Sequence, residues 1–206
     1  MKKRTLALIL ALVLVFGAAV GGTIAYLTDT TDPVINTFTI GKVDITLDEA
    51  KVDEYGAAIE DVPRVKANSY KLIPGHTYTK DPTVHVDANS ENCWLFVKVE
   101  NGIVSYEAAT SIEEGGYKKI ADQITANNWT ALDGVAGVYY KQYTKGQTDK
   151  DFVVFNNFEI ADSANQLDGW TGITDTTTKI VVTAYAIQND GFSTAAAAWD
   201  EVKPTT

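Results

Sequence analysis

Two histidines, one cysteine, four tryptophans and two acidic clusters are the residues of this chain whose types could carry chemistry. His76 and His85 stand apart in the chain, and no His-Glu-x-x-His run occurs, so the zinc-peptidase spacing is absent. On neighbouring strands the pair could meet carboxylates such as Asp81 or Asp87; the simpler reading is two turn or surface histidines. Cys93 lies inside the apolar run NCWLFVKV. A thiolate nucleophile needs an exposed, electropositive setting, so Cys93 reads as a small buried hydrophobe. The clusters Asp29 to Asp32 and Asp149 to Asp151 lack the alternating oxygen-ligand spacing of a calcium loop and read as solvated loops. Trp94, Trp129, Trp170 and Trp199 sit in separate segments beside apolar neighbours, which favours core packing over a shared sugar platform. No Gly-x-Ser-x-Gly elbow and no phosphate loop is present. The expectation is a protein with no catalytic residues, no metal and no cofactor.

The whole-chain composition narrows the partners. The 206 residues are 45% hydrophobic, enough for a sizeable core. The net charge of −10 argues against nucleic acid, since phosphate binding needs a basic face. A single cysteine excludes an internal disulfide framework.

The first residues have their own logic. Lys2, Lys3 and Arg4 form a positive head, Leu6 to Phe16 is an unbroken apolar run, and small residues lead to Thr23-Ile24-Ala25. That order is the layout of a secretory signal peptide. An uncleaved anchor is the alternative, because about 20 apolar residues span a bilayer. Glycines dilute the second half of the run, and Thr23 and Ala25 fit the small pockets before a cleaved bond, leaving Tyr26 as the new N-terminus. Cleavage removes three cationic residues and no acid, so the mature, secreted chain is more acidic still. It has no disulfide to hold it together.

Behind the leader the patterning is mainly β. Thr37 to Asp48 alternates, with Phe38 and Ile40 in one phase and Val43, Ile45 and Leu47 in the other, so a bulge or bend is expected at Gly41. Asn92 to Val99 is apolar in both phases, as in a central strand buried on both faces. Val138 to Tyr143, Phe152 to Ile160 and Lys179 to Gln188 are further β-branched and aromatic runs. Pro74-Gly75, Asp133-Gly134 and Asp168-Gly169 mark turns. Glu113 to Asn127 carries Tyr117, Ile120, Ala121 and Ile124 at helical spacing. Ser193-Thr194, four alanines, Trp199 and Pro204 spell a capped and terminated C-terminal helix. The fold class expected is an antiparallel β-sandwich of jelly-roll type with short helical insertions. The expected organisation is a cleaved leader over 1–25, an extended segment over 26–36 and one domain over 37–206.

Three blocks carry a family likeness. GTIAYLTDTTDPVINTFTIGKVDITLDE (22–49), KLIPGHTYTKDPTVHVDANSENCWLFVKV (71–99) and KIVVTAYAIQNDGFSTAAAAWDEV (179–202) jointly resemble the TasA/camelysin family of secreted proteins of Gram-positive bacteria, which use a dedicated signal peptidase. The matching elements include Thr23 and Ala25 before the cleaved bond, Tyr26 after it, and Asn36-x-Phe38-x-x-Gly41-x-Val43-x-Ile45-x-Leu47. The resemblance implies a jelly-roll-like sandwich and a role as the subunit of biofilm-matrix fibres. There the N-terminal segment of one subunit is similar to a donor strand that completes the next subunit's sheet.

The residues themselves are compatible with that implication. Tyr26 to Asn36 is extended, and Tyr26, Leu27, Val34 and Ile35 are its candidate plugs, although Pro33 cannot donate to a ladder. The partners then expected are further copies in a head-to-tail polymer, other matrix proteins and the signal peptidase. Two alternatives stand beside it. One is a monomeric, adhesin-like binding module. The other is a metallopeptidase of the camelysin kind, for which this sequence offers no metal-ligand motif.

Overall fold

The computed structural model describes Lys3 and residues 41–108, 119–172 and 178–204. The leader, the segment 26–36, the start of the Thr37 to Asp48 run and the first part of the Glu113 to Asn127 helix lie outside the described residues.

The chain is mainly β with antiparallel sheets, and residues 41–204, where described, carry two α-helices. Its strands are β1 (Ile45–Asp48), β2 (Thr77–Thr79), β3 (Thr83–Val86), β4 (Cys93–Asn101), β5 (Thr130–Ala131), β6 (Val138–Tyr143), β7 (Asp151–Val153), β8 (Asn157–Glu159) and β9 (Ile180–Gln188). The helices are α1 (Ile120–Ala126) and α2 (Ala195–Val202). Three sheets form, ordered β1-β3-β7, β2-β8 and β5-β6-β4-β9. Among the described residues, no helix is long and apolar enough to cross a membrane.

β4 organises the core. It pairs with β6 on one side and β9 on the other, with Phe96 opposite both Tyr140 and Tyr185. Period-two geometry sends Cys93, Leu95, Val97 and Val99 into one apolar cluster, together with Val84, Phe155 and Phe158. Trp94 and Phe96 point the other way, into a second cluster with Leu132, Val138 and Trp199. Both faces are therefore dry, as the doubly apolar pattern requires. The second face is covered by α2, whose start is fixed by Thr194: its hydroxyl oxygen accepts from the Ala197 N–H at 3.2 Å. Trp199 then packs on Phe96 and on Tyr185, with ring centroids 5.3 Å apart in each pair.

Two sequence expectations are corrected. The run Phe152 to Ile160 is not one strand. Strand geometry stops at Val153 and resumes only at Asn157, so the chain passes from β7 in one sheet to β8 in another across residues 154–156. The buried Gln123 of α1 serves this crossing. Its side-chain carbonyl accepts from the N–H groups of Asn156 and Asn157 at 3.0 and 3.2 Å, while its amide donates to the Asn157 carbonyl at 2.9 Å. At the other run, strand geometry begins at Ile45 rather than continuing from Gly41. Residues 42–44 only run beside 87–91, through Asp87 N–H to Asp44 O (3.0 Å) and Glu91 N–H to Lys42 O (3.0 Å). A Cβ on Gly41 would stand 2.9 Å from Glu91 Cγ, so glycine serves close approach here.

Candidate functional site

Among the described residues, β1 and β9 are each the last strand of their sheet, and the two are in contact. Between them opens a groove of about 1050 Å³. Its walls alternate as strand geometry dictates. Ile180, Val182 and Ala184 of β9 lean on the core while Val181 and Thr183 face outward. Ile45 and Leu47 do the same from β1. Leu72, Ile103, Phe158 and Trp170 complete the apolar lining.

The two edges differ in their backbone chemistry. Lys66 Nζ donates to the Leu47 carbonyl, and Arg64 Nη2 donates to the Asp48 carbonyl at 3.3 Å. The end of β1 is thus covered by side chains, and Glu49 bridges to Val65 just beyond it. Among the described residues, β9 pairs on one side only, with β4.

The polar end of the groove holds Glu49, Asn68, Tyr70 and Lys80. Glu49 is 4% exposed and Lys80 9%, and the ammonium donates to Glu49 Oε2. Asn68 Nδ2 donates to Glu49 Oε1 at 2.9 Å and to the Ala50 carbonyl at 2.8 Å; Asn68 Oδ1 accepts from the Val52 N–H at 3.1 Å. Burial and then the Glu49 charge raise the Tyr70 hydroxyl above its ordinary range.

A second charged group lies across the β1-β3-β7 sheet. His85 Nδ1 meets Asp151 Oδ1 at 2.7 Å and its Nε2 meets Asp48 Oδ1 at 3.0 Å. The register sets Asp151 directly opposite His85, and Asp48 falls on the same face two residues along from Thr46. Asp48 also receives Arg64 Nε at 2.5 Å, while Arg64 Nη1 reaches Asp81 at 2.8 Å. Burial pulls the His85 pKa down, but the bonds to Asp151 and Asp48 outweigh it and the net direction is up. Burial likewise pushes Asp48 up, and Arg64 with His85 more than reverses this, leaving it below the usual carboxylate range. Both imidazole nitrogens are engaged by carboxylates, an arrangement suited to a fixed cation joining three strands.

The carboxylates weighed as alternative partners for the two histidines, Asp81 and Asp87, are engaged elsewhere. Asp81 pairs with Arg64 instead, and Asp87 accepts from the Asn89 N–H at 2.8 Å within its turn. His76 meets the Tyr55 carbonyl at 2.8 Å. Cys93 is fully buried, and that burial pushes its thiol up to about 11. Trp94 and Trp199 pack in one cluster, Trp129 is buried in the other, and Trp170 packs against the latter, so they make no common platform. Asp149 and Asp151 are exposed. Among the described residues, no group of three or more His, Cys, Asp or Glu side chains is placed to hold a metal ion. The cleavage residues Thr23, Ala25 and Tyr26 and the donor residues Tyr26, Leu27, Val34 and Ile35 lie outside the described residues.

Arg64, Lys66 and Asn68, which shape the β1 side of the groove, carry no local signal in the sequence. They come from an irregular stretch and acquire meaning only beside β1. No family model, curated protein or solved structure matches the chain. The TasA/camelysin likeness stands on its three sequence blocks.

Proposed function

We propose that this protein is a secreted, non-enzymatic subunit of extracellular matrix fibres, exported through its 1–25 leader and polymerised head to tail by strand addition. Residues 26–36 of one copy lie in the β1/β9 groove of the next and extend the β9 edge, with Tyr26, Leu27, Val34 and Ile35 as the plugs. The domain is read as a jelly-roll sandwich, as the family resemblance implies. The observation that carries this is the groove itself: two sheet edges flank it, and apolar side chains at every second position line both walls. In an inserted strand Tyr26 and Val34 face one way and Leu27 and Ile35 the other, so each face carries two plugs. Strand addition takes affinity from main-chain hydrogen bonds and specificity from alternate side chains. A contact of this head-to-tail kind does not close on itself and so produces a filament. Since Lys66 and Arg64 already occupy carbonyls of β1, β9 is the edge left to pair.

The test acts on the acceptor. Val182→Asp places a carboxylate in the groove while leaving the β9 backbone able to pair. Burying it unpaired against a donor strand costs several kcal/mol. Light scattering of the purified mature protein should show growth for the parent and none for the variant at equal folded content. Equal growth of both overturns the groove assignment. A parent that stays monomeric under every condition favours the adhesin-like reading. Zinc content and casein turnover test the metallopeptidase alternative.

A further inference from the structure

Glu49, Lys80 and Asn68 form a group that strand assembly does not require. One buried carboxylate holds an amine on one oxygen and a primary carboxamide on the other. The amide is fixed by its bonds to Ala50 and Val52, and its carbonyl oxygen faces the buried backbone N–H of Val52. Tyr70, Tyr78 and Phe158 pack edge-on or stacked next to it, with centroids 4.9 to 5.8 Å apart, and keep the site apolar. A nucleophile, an electrophile and a proton carrier thus stand together, the amine and carboxylate buried and the amide half-buried at the polar end of the groove.

We propose that Lys80 and Asn68 condense to an intramolecular isopeptide bond, with Glu49 carrying the protons. Passing a proton from the Lys80 ammonium to the Glu49 carboxylate exchanges two charges for two neutral groups and frees the amine. The freed Lys80 amine attacks Asn68 Cγ, and the charge developing on Oδ1 is met by the Val52 N–H. The Cγ–Nδ2 bond breaks with its electron pair on nitrogen, and ammonia leaves. Of the three ammonium protons, one stays on the new amide nitrogen, one completes the departing ammonia and one remains on Glu49. Nothing is oxidised or reduced, so no co-reactant is needed. The product ties the 68–70 stretch to the strand region before β3. In a chain whose one cysteine excludes an internal disulfide, this is a covalent staple independent of redox conditions.

Mass spectrometry of the full chain as secreted decides the matter, with each species compared against its own sequenced termini. The expected result is a deficit of about 17 Da, the mass of ammonia. A tryptic digest should yield residues 67–71 joined to 72–98, with Lys80 uncut. Asn68→Ala and Lys80→Arg should restore the full mass. So should Glu49→Gln, which keeps the shape but cannot cycle a proton. Separate recovery of 67–71 and 72–80 from the parent overturns the proposal, even if every variant fails to fold. So does an ammonia loss mapped to 99–118, where Asn101-Gly102 can cyclise on its own, or a loss of about 18 Da joining Lys80 to Glu49. A folded Glu49→Gln protein that still carries the cross-link overturns the role given to Glu49.

Discussion

Replacing Phe96 with alanine tests the packing on which every other feature depends. Phe96 is fully buried at the centre of β4, between Trp199 of α2 at 5.3 Å and Tyr140 of β6 at 6.4 Å. Truncation removes the ring and leaves a cavity under α2 that Trp199 only partly refills. Such Phe→Ala changes cost about 3–5 kcal/mol, against a total stability of about 5–15 kcal/mol for a typical domain. Trp199→Ala should cost a similar amount. The double variant should lose less than the sum, because both side chains border the same space. Val104→Ala is the control: that residue is 63% exposed and should change stability by no more than about 0.5 kcal/mol. Urea unfolding followed by tryptophan fluorescence measures the four variants and the parent, and the slope with denaturant should be unchanged. If the Phe96→Ala midpoint coincides with the parent's, β4 is not the doubly buried strand and α2 does not cover it.

Two other predictions concern charge and export. His85 is raised in the folded protein, so its contribution is fully present below its unfolded value near 6.5 and is lost as pH rises through the higher folded value. Asp48 is lowered, so its contribution is present above about 3.9 and is lost as pH falls through the depressed folded value. The melting temperature should therefore fall from about pH 6 to about pH 9 by more in the parent than in His85→Gln, and parallel curves contradict the three-strand clamp. For export, N-terminal sequencing of culture supernatant should begin at Tyr26. A start near Val20, or intact Met1 in the membrane fraction, contradicts the dedicated-peptidase reading.

The core was legible in the sequence where the periodicity is strong. The two-phase apolar run at Cys93 to Val99, the runs forming β6 and β9, and the Thr194 cap of α2 all encode their structure within a few residues. The break between β7 and β8 was not legible. Val154 and Phe155 are simply apolar in sequence, and the groups that divide the run, Pro82 and Gln123, reach it from elsewhere: Pro82 O accepts from Val154 N–H at 2.8 Å. The groove was legible only as two well-patterned strands. That β1 and β9 end their sheets among the described residues and line one groove is a matter of topology, not of local sequence. Likewise, the partners of Glu49 and His85 depend on register and on an irregular loop, neither of which leaves a local pattern.

The central claim is that residues 26–36 join one subunit to the next. Negative-stain microscopy of three proteins tests it most directly: the mature parent, a chain beginning at Thr37, and the parent carrying Val34→Asp and Ile35→Asp. The parent should form filaments. The truncated chain should form none, and a small amount mixed with parent should shorten the filaments, because it can accept a donor but cannot supply one. The double variant should fail because, whichever face the strand turns to the groove, it would bring a carboxylate into an apolar pocket at a cost of several kcal/mol. Filaments of equal length from all three proteins would contradict donor-strand assembly.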